Sequence, residues 1–225
     1  MENIVQNILY VHIFVGGAAL ISGLAAISSK KGRRLHRKAG RMYFWAMTAV
    51  FITGIIVAGF RFNRFLFLIA FLSYYSVFAG VRILKLKNLH KSQSPKWYDW
   101  TAGVVNAIAN LIFMALGLYY YFNSGNVAAS LLSIGFGVGG FLISCVNLKP
   151  FVVRPNKAYH WYMAHIGNMM GGYIATVTAF ISTMVTRFDV MNPFIAFALP
   201  SLIGVPLLIF WQKRMEKSFQ KPIEK

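Results

Sequence analysis

In the stretch HWYMAHIGNMMGGYIATVTAF, His165 and Met169 stand four residues apart, so a helix would present an imidazole and a thioether on one face. That ligand pair suits haem iron or copper. His165 continues a stripe with Gly172, Thr176 and Ala179, while His160 lies roughly 140° around the same helix and serves the same ligand only if the helix start is distorted. In the first apolar run, His12 stands above Gly16, Ala19, Gly23 and Ala26 at helical spacing. A histidine over a groove of small residues accepts either a flat ring such as a porphyrin or a neighbouring helix.

Helix rise sets a test for these groups. Counting from opposite ends of their spans leaves roughly 9 Å of depth between His12 and His165 across a core of about 30 Å, too much for an untilted bis-histidine haem. The other grouping is His36, His160 and His165, all in the same half of the membrane, which would surround one metal ion. Asp99, Gly103, Asn106, Asn110 and Gly117 form another stripe, which should face the bundle interior. Asn106 and Asn110 suit a hydrophilic path or a ligand, but interhelical hydrogen bonding is the commoner use of such residues. Asp99 sits beside Trp97, Trp100 and a basic loop, where an ion pair with Arg or Lys is the simple expectation and a proton relay the less simple one.

The elements that position these residues follow from composition. Hydrophobic residues make up 57% of the 225 and charged residues 12%, which excludes an ordinary soluble domain. Apolar runs near 5–28, 42–60, 65–84, 100–122, 127–147, 159–185 and 193–211 are each of the length a spanning helix needs, about 20 residues. They are continuous rather than alternating, so a β-barrel is excluded. The expected fold is all-α, one integral membrane bundle of seven transmembrane helices filling residues 1–225. The lone cysteine, Cys145, lies in an apolar run and is expected to be a small core residue. Pro193, Pro200 and Pro206 predict a bent last helix.

The net charge of +18 is carried by short clusters between the runs, which speaks for membrane orientation and against nucleic-acid binding. Lys30 to Arg41, Lys85 to Lys96, Lys149 to Lys157 and Lys213 to Lys225 all fall on one side if there are seven spans, leaving Arg61, Arg64 and Arg187 on the other. This predicts an external N-terminus, a cytoplasmic C-terminus and a multi-pass protein of the cell inner membrane. Arg33, Arg34, Arg37, Lys38 and Arg41 are suited to anionic lipid headgroups at the cytoplasmic face. Trp45, Trp97, Trp100, Trp161 and Trp211, near run ends, read as interfacial anchors. No span carries a central lysine for a retinal Schiff base, and motifs for zinc proteolysis, nucleotide hydrolysis and serine hydrolysis are missing.

Three stretches together, His12 to Gly23 (HIFVGGAALISG), Gly32 to Tyr43 (GRRLHRKAGRMY) and His160 to Phe180, resemble the bacterial membrane-protein family catalogued as "domain of unknown function 2306". The resemblance implies a small polytopic bacterial protein of unassigned function, with His12, His36, Arg41 and His160 at characteristic positions. His165 stands here in place of the usual Arg-rich start of that helix. The functional expectation is a redox or metal-handling membrane protein binding haem b or a metal ion through His12, His36, His160, His165 and Met169. The alternative is a non-catalytic small transporter or assembly component, with membrane-protein partners or as a homo-oligomer. A zinc hydrolase would need Asp99 close to His36, His160 or His165.

Overall fold

Long apolar runs without internal charge leave helix as the means of satisfying their backbone groups, and helices are what form. The computed structural model describes residues 2–60, 64–123, 125 and 127–220, apart from the side chains of 64–66, 68 and 193. Seven helices follow in order: α1 Glu2–Ser28, α2 Arg34–Phe60, α3 Arg64–Arg82, α4 Trp97–Asn123, α5 Val127–Val152, α6 His160–Phe188 and α7 Pro193–Gln220. No strand occurs among the described residues. By length and composition, α1, α2, α4, α5, α6 and α7 are each able to cross a membrane.

Each helix packs on the next except α5, which does not pack along α6, and α3 also packs on α5 and α6, which makes it the centre of the bundle. The core is the cluster Ala19, Tyr43, Met47 and Val77, one residue from α1, α3 and two from α2, covered by Met169 and Tyr173 of α6. Buried hydroxyls in these helices bond back to their own helix, as Ser76 does to Leu72 and Thr178 to Ile174. They are therefore satisfied without opening a wet path.

The loops between α1 and α2, α3 and α4, and α5 and α6 meet at one end of the bundle. Lys87 lies 4.3 Å over the Trp161 ring, and Lys157 pairs with Glu216 near the end of α7. The α3–α4 connection begins as a 3₁₀ turn, Ile83–Lys85, and buries Ile83, Leu86 and Leu89 against Phe151, Trp161 and Ala164. Gln93 braces it by donating to the Lys85 carbonyl at 2.7 Å and accepting from the Asn88 amide at 3.0 Å. Nearly all the positive charge gathers here. Of the residues expected at the other end, Arg187 closes α6, while Arg61 lies outside the described residues, as do the side chain of Arg64 and, at the basic end, Lys221 and Lys225.

One expectation changes. Cys145 is exposed on the outside of the bundle rather than in its core, because the interior positions of α5 go to Gly137, Gly140 and Ser144. Pro200 and Pro206 lie inside α7, which runs through both without a break.

Candidate functional site

The last four carbonyls of a helix lack intrahelical donors, and at the basic end histidines take two of them. Gly80 is in the last turn of α3, where the chain tightens to 3₁₀, and its carbonyl accepts from Nδ1 of His165 at 2.7 Å. Ala26 is in the last turn of α1, and its carbonyl accepts from Nδ1 of His36 at 2.9 Å. A carbonyl only accepts, so in both rings Nδ1 carries the proton and Nε2 holds the free lone pair when the ring is neutral. The two rings come from different helices and lie with centroids 6.3 Å apart at 81°.

Met169 lies one turn beyond His165 on α6. It packs on Gly80, where a Cβ would meet its Sδ at 2.8 Å and its Cγ at 2.9 Å, so only glycine admits the thioether this close to α3. The Gly80 backbone thus seats both His165 and Met169. Lys31 closes the locus by donating to the Ala26 carbonyl at 3.3 Å and to that of Ile27. Burial pushes its ammonium below the ordinary lysine range.

His160 belongs elsewhere. Its ring lies 5.8 Å from that of His90, and each bonds through Nδ1 to a carbonyl three residues earlier, Lys157 at 3.1 Å and Lys87 at 3.0 Å. The expected grouping of His36, His160 and His165 is therefore replaced by two pairs, because α6 starts as regular helix and keeps His160 and His165 on different faces. His90 is the residue sequence reasoning missed; nothing in the segment KNLHK indicates that its loop folds back on α6. Among the described residues, no group of three or more His, Cys, Asp or Glu is placed to hold a metal ion.

His12 is apart from all of these. The hydroxyl of Thr53 gives its proton to the Ala49 carbonyl at 2.7 Å, so Nδ1 of His12 donates to that oxygen at 2.9 Å. From His12 to Ala26, which holds His36, is about 21 Å along α1 at 1.5 Å per residue. His12 and His165 do not approach one another as a haem would need, and the expected 9 Å gap was too small. The reason is helix length: α1 has 27 residues, or about 40 Å, well beyond the membrane core of about 30 Å. The small-residue groove below His12 is filled at Gly23, with Tyr173 2.5 Å from where its Cβ would stand and Tyr43 at 3.1 Å, while nothing lies within 4 Å of where a Gly16 Cβ would stand.

The polar stripe of α4 holds helices together. Asp99 takes a bidentate ion pair from Arg82, Nε to Oδ1 at 2.6 Å and Nη2 to Oδ2 at 2.9 Å, and also accepts the Lys96 amide at 2.9 Å. That carboxylate caps the start of α4 and is committed to Arg82, away from the histidines. Asn106 donates to the Gly140 carbonyl and to Ser144 on α5, at 3.2 and 2.8 Å. Asn110 donates to the Asn106 carbonyl at 2.8 Å, and its amide lies where a Gly140 side chain would otherwise go. Asn147 and Asn168 exchange hydrogen bonds of 2.8 and 2.7 Å between α5 and α6. Arg33, Arg34, Arg37, Lys38 and Arg41 are all exposed at the same end as the His36 and His165 pair.

Compared with protein-family models, curated proteins and solved structures, the chain matches none.

Proposed function

We propose that this chain is a copper-handling protein of the cell inner membrane, its N-terminus outside and its C-terminus cytoplasmic, which binds copper(I) through His36, His165 and Met169 at the cytoplasmic face. The observation that carries this reading is the pair of imidazoles from two helices, each fixed by an Nδ1–H bond to a helix-terminal carbonyl, at a centroid separation of 6.3 Å. Such hydrogen bonds are how proteins fix the tautomer and orientation of metal-binding histidines.

The separation favours one metal over another. With a metal–nitrogen bond of about 2 Å and about 1.2 Å from nitrogen to ring centre, two imidazoles on one ion have centroids at most about 6.4 Å apart, and about 5.2 Å apart at a tetrahedral angle. The separation of 6.3 Å lies within that limit and near its upper end, where two imidazoles sharing one ion would be nearly opposed, as suits copper(I) with a thioether as the soft third ligand. Lys31 and the surrounding arginines also favour a monovalent over a divalent ion. The orientation rests on the positive charge at this end. Anionic lipids at the same face are the partners of Arg33, Arg34, Arg37, Lys38 and Arg41. The likeness to "domain of unknown function 2306" fits this reading, since its three stretches lie on α1, α2 and α6, which pack together at the Tyr43 and Tyr173 contact.

The test is anaerobic copper(I) titration of purified protein against a chromophoric competitor, with absorption spectra of the oxidised and reduced sample. One copper(I) per chain, lost in His36→Ala and in His165→Ala but kept in His12→Ala, is the expected result. A protein that binds no copper(I), or binds it equally well without both histidines, would leave the small transporter or assembly component as the reading. A Soret band that shifts on reduction would return haem to first place.

A further inference from the structure

A cleft of about 480 Å³ opens at the basic end between the α5–α6 loop, the first turn of α6 and the last turns of α7. Its walls include Asn156, Lys157, His160, Met163, Gln212 and Glu216. It is built rather than incidental. Gln212 of α7 donates to the Met163 carbonyl of α6 at 3.2 Å, and Phe219 stacks on Tyr159 at 4.9 Å and 9° while meeting Tyr162 edge-on at 5.3 Å.

The charges lining it are unusual for this end. The whole chain has five acidic residues against 23 lysines and arginines. Among the described residues at the basic end, Asp99 is buried against Arg82, which leaves Glu216 as the accessible carboxylate, and it stands in the cleft facing Lys157. The pair is exposed, with side-chain accessibilities of 55% and 36%. Pairs of this kind contribute little to stability, so their partners are readily exchanged. A simple anion entering on Lys157 would meet the repulsion of Glu216, and a simple cation would meet the lysine. A molecule carrying both charges satisfies both residues at once. Tyr159, on which Phe219 stacks, supplies an aromatic wall.

We propose that this cleft binds a zwitterion with a phosphate and a primary ammonium two carbons apart, the phosphate on Lys157 and the ammonium on Glu216. Phosphatidylethanolamine and free phosphoethanolamine share that chemistry. The site is independent of the histidine pair, and its test needs no metal.

Native mass spectrometry of the full chain, released from nanodiscs of equal phosphatidylethanolamine and phosphatidylglycerol, reads the preference directly. The wild type should retain phosphatidylethanolamine over phosphatidylglycerol about fivefold, one charge contact at a membrane surface being of that size. Glu216→Gln should reverse the preference, because it removes the ammonium partner and the repulsion of anions together; a merely structural role would not do so. Competition by added phosphoethanolamine assigns the site to the free zwitterion, and its failure to compete assigns it to the lipid. No preference in the wild type, or one unchanged in Glu216→Gln and in Lys157→Met, overturns the proposal.

Discussion

Asp99→Ala tests whether the bundle depends on its buried ion pair. Asp99 has a side-chain accessibility of 1% and Arg82 of 15%, so the substitution leaves a nearly buried guanidinium without its counter-charge. Breaking such a pair from one side costs about 3–5 kcal/mol, and the solvent still reaching Arg82 puts the value here at about 3. The lost acceptor for the Lys96 amide at the start of α4 adds about 1 kcal/mol. At roughly 2–4 °C per kcal/mol for a chain of this size, thermal denaturation in detergent should fall by about 8–16 °C. Asp99→Asn retains the shape and an acceptor and should lose less than half of that. The double variant Arg82→Met with Asp99→Leu should be more stable than Asp99→Ala alone, because it removes the stranded charge along with its partner. An Asp99→Ala protein melting within about 2 °C of the wild type would mean that water reaches Arg82 freely and that the burial argument is wrong.

Two further outcomes test the packing and the orientation. Gly140→Ala would drive a methyl group into the Asn110 amide and should cost about 1–3 kcal/mol, whereas Gly16→Ala, with nothing within 4 Å of the new Cβ, should melt within about 1 °C of the wild type; equal losses would remove the case for α4–α5 close packing. A reporter fused after Lys225 should be active only in the cytoplasm, and activity on the external side would reverse the assignment of the basic end.

The sequence made the spans legible because hydropathy responds to the membrane core, and it misplaced the helix ends for the same reason. The second apolar run begins near 42, yet α2 starts at Arg34, and α7 continues past its run to Gln220. In both cases helix extends through basic residues that lie beyond the hydrocarbon. The α4 stripe was legible as packing because Asn106, Asn110 and Gly117 repeat at helical spacing, and each meets α5. The histidine pairs were not. His36 reaches His165 because two helix-terminal carbonyls face the same gap, and His90 reaches His160 because a loop folds on Leu86 and Leu89. Neither depends on spacing along one helix, which is all that periodicity reports.

Copper bound at one face, as proposed, would differ from copper passing through the bilayer in what the core must supply. A permeation path needs polar or sulfur ligands at successive depths, each stabilising the ion where water cannot. Between the level of His36 and that of His12 lies about 21 Å of α1. Over that distance α1 meets Tyr43 and Tyr173 of its neighbours, Ala19 and Gly23 sit in tight contact, and Ser22 spends its hydroxyl on the carbonyls of Ala18 and Ala19. Thr176 donates its hydroxyl to the Gly172 carbonyl. An ion held at His36 and His165 would face a tightly packed core in one direction, where the Met47 sulfur is already engaged by the Thr176 hydroxyl at 3.4 Å, and the basic loops in the other. Proteoliposomes loaded with a copper(I) chelator should show no flux above protein-free vesicles, while detergent-solubilised protein from the same preparation binds one copper(I) per chain. Flux that saturates with copper and is abolished by His12→Ala would show that the core opens, and would make His12 and Thr53 a second station on a transport path.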